Sequence, residues 1–275
     1  MKLSTYAYLF NATKREFDLD GMVTNFTDFA DEVVCATIPS EDDTLERLKG
    51  WEAKLGASRF RVVQSTIDIT KDNRWDGGLK TAALEACSPS TVEDPRVYVI
   101  ADADERFVPS NRPKWIQAAE WLMASPYDGY LIPVLDLYQD DRHIRADQTV
   151  GVKFRMHKNT VVKRGVIPEA EMGYGGLFRT DMSDSTEPID RYGHLARFGS
   201  VVANPMHLWP QVTDYLNQYP YVLHFGHLDA ERRAKLNREF WREHWLNRSG
   251  QEPTMEYQAE RIREFKLIEH KVALA

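Results

Sequence analysis

The chain has 275 residues, 43% hydrophobic and 28% charged, with a formal net charge of -7. That length suffices for one large domain with a sizeable core, and the acidic balance excludes a surface built to track phosphate backbones, though not a locally basic pocket. No apolar run reaches the length of a membrane span, and MKLSTYAYLFNATKREF lacks the continuous apolar core of a signal peptide.

Taken in chain order, LSTYAYL (3–9), EVVCAT (32–37), RFRVVQ (59–64) and RVYVIA (96–101) read as strands, being short β-rich runs bounded by turn or charged residues. Between the second and third, SEDDTLERLKGWEAKL reads as a helix. Ser40 and Asp43 have capping-box spacing, and Leu45, Leu48 and Leu55 share a face. Between the third and fourth, RWDGGLKTAALEA places Leu79, Ala82, Ala83 and Ala86 on one face. Strand and helix thus alternate through the first hundred residues, which predicts a parallel α/β sheet. PKWIQAAEWLMA follows as an amphipathic helix carrying Trp115, Ala119 and Leu122 on one stripe.

The pattern then changes. GYLIPVLDLY, TVGVKFRMH and TVVKRGVI read as three strands in a row, and Asp181 to Tyr219 as loop. YVLHFGHL reads as a late strand. DAERRAKLNREFWREHWLN and the stretch from Met255 to about Leu274 read as surface helices. The expected division is residues 1–228 as the main domain and 229–275 as a helical extension packed on it. Cys35 and Cys87 sit in apolar contexts without a CxxC or Cys/His neighbour, so both are expected as buried free thiols in a cytoplasmic protein.

The fourth strand runs straight into acid: YVIADADERF ends on Asp102, Ala103, Asp104 and Glu105. Ligands of open α/β sheets bind beyond the carboxyl ends of the strands. If the extended conformation persists, Asp102 and Asp104 point to the same side. Carboxylates so placed repel unless a cation lies between them, and a hard divalent ion with phosphate oxygens in its shell meets that need. The alternative is a solvated turn.

At this point the chain resembles the GT-A glycosyltransferases, and among them the broad family 2 group. YLFNATKREF is similar to the family's "fxRNe" entry, and DEVVCATIPSEDDTLERL to its "DEvvvvdxgSxDgT" segment. NRWDGGLKTAALEAC is similar to the helix before the metal motif, and YVIADADERF to "vlxlDaDExl", the DXD motif itself. These pieces run in order over residues 3 to about 108. The resemblance implies an α/β fold of GT-A (Rossmann-like) type, a mixed sheet flanked by helices. It implies a hexosyltransferase that is metal-dependent and inverting, moving a sugar from a nucleotide diphosphate, UDP-sugar favoured, to an acceptor hydroxyl.

Residue by residue, the resemblance makes Asp104 a ligand of Mn²⁺ or Mg²⁺. Asp102 becomes a further ligand, or reaches the ribose or a metal-bound water, with Ala103 between them in the donor site. Glu105 binds a sugar hydroxyl or caps the turn. Thr37 and Pro39 stand where an acidic base contact is common, which leaves Thr37 as pocket candidate. Asp43 matches the later Asp of the "SxDgT" segment, and with Ser40 it can equally serve as a helix cap. Arg74, Asp76 and Lys80 open a glycine-bearing helix that lines the donor site in the family, a helix start being favourable to phosphate. For the catalytic base, FRMHKNTVVKRGVIPEA resembles a segment ending in "G-x-v-H-E". Glu169 falls on its Glu and Pro168 replaces its His, with Glu171 adjacent and Asp136 and Asp181 as outside candidates. YVLHFGHLDAERRAKLN is similar to an "HxGyxr" segment that supplies a further metal ligand. His224 matches it, His227 is the reserve, and Arg232, with Arg233 and Lys235, closes over the diphosphate or forms a solvated helix face.

Two other readings stay open. A nucleotidyltransferase also uses metal at strand ends, but YLFNATKREF lacks the glycine-rich phosphate loop. A non-catalytic GT-A-like domain would bind a glycan through its aromatic residues. The acceptor (a glycan, a small molecule or a nucleic acid) and the oligomeric state are not fixed by the sequence.

Overall fold

The computed structural model describes residues 1–68, 75–124, 129–138, 143–145, 151–158, 220–227 and 267–269. Its centre is the expected parallel sheet. Strand β1 (Lys2–Tyr8) lies between β2 (Glu32–Thr37) and β4 (Arg96–Ile100), and β3 (Phe60–Gln64) flanks β2, all parallel. β1, β2 and β4 are buried along nearly their whole length, as strands covered on both faces must be.

Helix α1 (Leu19–Phe29) links β1 to β2 and is absent from the sequence-based expectation. Its signals are nevertheless local. The Asp18 side chain accepts from the Gly21 amide at 2.9 Å, and Leu19, Met22, Val23, Phe26 and Phe29 turn into the core. A Cβ on Gly21 would lie 1.9 Å from the Asp18 Oδ2, so glycine is required for this cap. Helix α2 (Thr44–Leu55) starts where predicted, but not through the Ser40–Asp43 box. Asp43 precedes the helix without a capping bond. Instead Asp42 accepts from the Thr44 amide at 3.0 Å and from the Lys14 amide at 2.9 Å. Ser40 Oγ accepts from the Asn11 amide at 3.2 Å, and Thr44 Oγ1 from the Ala12 amide. These side chains tie the loop after β1 to the loop after β2, a better use than a cap because both loops otherwise leave backbone donors unpaired.

Helix α3 (Trp75–Glu85) buries Leu79 and Ala83, with Leu84 and Cys87, under β1, β2 and β4 on one side of the sheet. Helices α1 and α4 (Arg112–Ala124) cover the other, α4 through Trp115, Ala118, Ala119 and Leu122. Between β4 and α4 lies a short strand, β5 (Glu105–Phe107). The Phe107 ring stacks on Phe29 at 4.0 Å, and the Trp115 edge meets both at 5.3 and 5.2 Å. Asn25 clasps the Phe107 backbone at both its N–H and its C=O, each at 2.8 Å.

Beyond α4 the sheet turns antiparallel, as expected. β8 (Gly151–His157) pairs with β4 and with β6 (Gly129–Tyr138), both antiparallel. β9 (Val222–His227) runs parallel to β6 and antiparallel to β5. A short unexpected strand, β7 (His143–Arg145), pairs with β6. With β10 (Leu267–Glu269) at one edge, the continuous path is β10-β7-β6-β8-β4-β1-β2-β3. β10 corrects the expected terminal helix: these three residues form a strand against β7. TVVKRGVI and the expected helix from Asp229 lie outside the described residues. Cys35 and Cys87 are buried free thiols, as expected, and burial pushes the Cys35 thiol up to about 12. Among the described residues no helix is long and apolar enough to cross a membrane.

Candidate functional site

The parallel strands β1 to β4 end at one edge of the sheet, and the acidic stretch begins there. The chain does not stay extended. Ala103 and Asp104 form a tight turn closed by the Glu105 amide donating to the Asp102 carbonyl at 3.0 Å. Asp102 and Asp104 therefore do not face a common point from one extended strand, and each meets its own cationic or imidazole partner.

Asp102 lies between two buried cations. Its Oδ1 is 3.2 Å from Lys80 Nζ on α3, and its Oδ2 accepts from Arg155 Nη2 on β8 at 2.6 Å. The Lys80 side chain is 2% exposed and lies 5.6 Å from the centre of the Tyr8 ring, whereas Asp102 keeps 24% of its side-chain surface. The same Arg155 Nη2 also donates to Glu105 Oε1. Glu105 is fully buried, and its Oε2 accepts from the Asp102 amide at 3.0 Å. Glu105 thus takes the cap role. Burial works against the charge on Arg155, but Asp102 and Glu105 more than offset this and hold its guanidinium protonated. Arg106 secures the next residue, donating to the Ala103 and Glu105 carbonyls and reaching the Asp18 carboxylate at 3.2 Å.

Asp104 points elsewhere. Its Oδ2 is 3.3 Å from His224 Nε2, its carbonyl accepts from the Phe225 amide at 2.7 Å, and the antiparallel register sets Glu105 opposite His224. Asp104 and His224 remain 23% and 17% exposed, so solvent reaches both. Two donors on one small divalent ion, each at about 2.1 Å, stand about 3 Å apart. The Asp104–His224 spacing matches that, and one carboxylate with one imidazole suits an ion whose shell is completed by phosphate oxygens and water. No group of three His, Cys, Asp or Glu residues able to hold a metal occurs among the described residues.

The remaining sequence candidates separate as follows. Thr37 ends β2 and is buried, its hydroxyl donating to the Ile38 carbonyl at 3.2 Å. Asp43 accepts from Thr13 Oγ1 at 2.5 Å in the loop network described above. Asp76 lies in the first turn of α3, where Gly78 admits the Ile67 side chain to within 2.6 Å of where a Cβ would stand. The backbone of His227 ends β9, and that of Asp136 lies in β6. Arg74, Glu169, Glu171, Asp181, Arg232, Arg233 and Lys235 lie outside the described residues. The structure thus brings together Lys80, Asp102, Ala103, Asp104 and His224, and adds Arg155, which sequence reasoning missed. Its one local signal is an arginine between the apolar Phe154 and Met156 in a strand.

No protein-family model and no curated protein matches this chain. Solved structures similar to it include TarS 1-349 of S. aureus, at 11% identity and a TM-score of 0.40, covering 95% of this chain and 68% of that one. The same fragment in complex with UDP-GlcNAc matches at 12% identity and a TM-score of 0.38, over 62% of this chain and 49% of that one. The mannosyltransferase PcManGT of Pyrobaculum calidifontis, in complex with GDP-Man and Mn²⁺, matches at 14% identity and a TM-score of 0.44, over 94% of this chain and 68% of that one. At TM-scores under 0.5 these likenesses fix neither substrate nor metal for this chain.

Proposed function

We propose that the chain is a metal-dependent, inverting glycosyltransferase of the GT-A type that moves a sugar from a nucleotide diphosphate, with UDP-sugar the favoured donor, to an acceptor hydroxyl. The observation that carries this reading is the acidic turn at the carboxyl edge of the parallel strands. It presents Asp104 beside His224 at the solvent boundary and backs Asp102 with two buried cations. A purely structural turn has no need of a solvent-facing carboxylate–imidazole pair in the place where open α/β sheets bind ligands.

Asp104 and His224, with His227 at the end of the same strand, would hold Mn²⁺ or Mg²⁺, which stabilises the charge that builds on a leaving diphosphate without proton transfer. Asp102, which solvent partly reaches, accepts from a donor hydroxyl or a bound water. Lys80 supplies positive charge from the α3 side, and Ala103 lets the donor approach the turn without a large side chain in the way. Thr37, Asp43, Arg74, Asp76 and Arg232 line the donor site in this reading. Glu169 or Glu171 takes the acceptor proton as general base. Residues 1–228 form the transferase domain, and residues 229–275 pack on it.

The test is calorimetric titration with UDP, GDP and other nucleoside diphosphates, with Mn²⁺ and again with EDTA, on the wild-type chain and on Asp104→Ala. One nucleotide should bind only with metal and be lost in the variant, while the melting temperature of Asp104→Ala stays close to wild type. Absence of binding by every nucleotide with metal present would sink the reading.

A further inference from the structure

We infer that Arg155 is a positioning residue for the donor site: it fixes the carboxylate of Asp102 and the turn that carries Asp104, without itself touching substrate or metal. The inference rests on the transferase reading and deepens it.

The geometry is a closed ring. Arg155 Nη2 donates at once to Asp102 Oδ2 and to Glu105 Oε1, and Glu105 Oε2 accepts from the Asp102 amide. The ring joins the first and last residues of the acidic turn through one guanidinium group. Arg155 reaches it from β8, which pairs antiparallel with β4 at Tyr98–His157 and Val99–Met156, so a different strand of the sheet sets the turn's shape. Asp104 is the acidic residue of this stretch that stands outside the ring, and it faces His224.

Burial makes this arginine a poor choice for stability alone. Its side chain is fully buried, and its Nε and Nη1 have no hydrogen-bond partner among the described residues. A buried guanidinium left partly unpartnered is costly, and such costs concentrate where function needs a fixed group. Lysine could restore the charge but not the arrangement, because its shorter, unbranched stem does not carry a donor nitrogen to the point where Arg155 Nη2 meets both carboxylates.

The experiment is a double-mutant cycle read by Mn²⁺ and UDP titration calorimetry on the full chain, with Arg155→Lys, Asp102→Asn and the pair together. Each protein is melted first, so that affinity is measured where all are folded. Removing a group that orients metal ligands typically weakens metal affinity by about 10- to 100-fold. Arg155→Lys should therefore weaken Mn²⁺-dependent UDP binding by about tenfold, and this loss should shrink or vanish in the Asp102→Asn background, because Arg155 acts through that carboxylate. Should Arg155→Lys fail to fold, Arg155→Met with Glu105→Gln removes both buried charges together and enters the cycle in its place. Equal affinity in wild type and variant, or losses that simply add, overturns the inference alone. A wild-type chain that binds no nucleoside diphosphate with Mn²⁺ overturns the transferase reading and the inference with it.

Discussion

The two ends of the parallel sheet each carry a buried cluster of acid and base, built to opposite plans. At the amino ends, Glu32 of β2 accepts from Ser4 Oγ at 2.8 Å, from the Ser88 amide and hydroxyl, and from Arg96 Nη1 at 3.0 Å. Its side chain is 3% exposed. Every lone-pair direction has a donor and nothing is left for a ligand. At the carboxyl ends, Asp102 has its two cations, yet it and Asp104 face solvent. Charge and burial alone do not mark a site. The closed cluster welds three strands together, whereas the other fixes carboxylates that keep part of their surface in solvent.

The largest effect on stability is therefore expected at the closed end. Glu32→Ala removes the buried carboxylate shared by Ser4, Ser88 and Arg96, leaving Arg96, 7% exposed, with Asp94 at the surface and the Ser4 hydroxyl. Breaking a buried pair by removing one partner costs about 3–5 kcal/mol. Urea unfolding should show that loss, while Mn²⁺-dependent nucleotide binding by the folded fraction stays unchanged. A variant that lost nucleotide affinity at full stability would break the distinction between the two ends.

A pH dependence follows from a group that belongs to neither cluster but lies between them on β8. His157 is buried, accepts or donates at 2.8 Å with the Tyr6 hydroxyl, and stacks against Tyr98. Burial pushes its imidazole down to about 4 from an ordinary 6.5. The unfolded chain thus takes up this proton at a higher pH than the folded one. The neutral ring's contribution is fully present above about 6.5 and is lost as pH falls toward about 4. Between pH 7 and pH 5 this one group should remove about 2 kcal/mol. His157→Gln, which keeps a partner for Tyr6, should flatten the stability profile in that window by that amount. An unchanged profile would show that the ring is not held neutral by burial.

What could be read from the sequence follows the same divide between local and distant causes. β1 to β4 and helices α2, α3 and α4 announce themselves by apolar spacing, Asp102 and Asp104 by position at a strand end, and His224 by the resemblance of its segment, although it lies within β9. Lys80 was legible because it follows a glycine-bearing helix start. Helix α1 has a weak signal because Gly21, Thr24, Asn25 and Thr27 lower its helix propensity, even though Asp18 and the spacing of Leu19, Met22, Val23 and Phe26 favour a helix. The Ser40–Asp43 box has the right spacing, but loop-to-loop bonds took over its side chains. Arg155 and Glu32 had no comparable signal. Arg155 meets Asp102 across 53 residues, and only the antiparallel register of β8 on β4 brings it there. Glu32 meets Ser88 across 56 residues through the packing of α3's far end on the sheet.

The smallest stability effect sharpens the contrast from the carboxyl end. Lys80→Met removes a buried charge, as Glu32→Ala does, but Asp102 stays at the solvent boundary with a second cation beside it, whereas the Glu32 carboxylate is buried. Asp102 keeps Arg155 at 2.6 Å and 24% of its surface in water. The methionine also fills the buried path of the lysine stem without an ammonium to desolvate, and replacing buried charge by an apolar side chain of similar size is often neutral or stabilising. Stability should change by less than about 1 kcal/mol in either direction, against several for Glu32→Ala. Nucleotide affinity should move the other way round, falling in Lys80→Met and holding in Glu32→Ala, because a positive charge beside the acidic turn serves an incoming diphosphate. Paired melts and titrations on the two variants read both axes. If Lys80→Met instead cost several kcal/mol of stability while the folded fraction kept full affinity, the carboxyl-end cluster would be as structural as its counterpart, and the solvent exposure of Asp102 would lose its meaning.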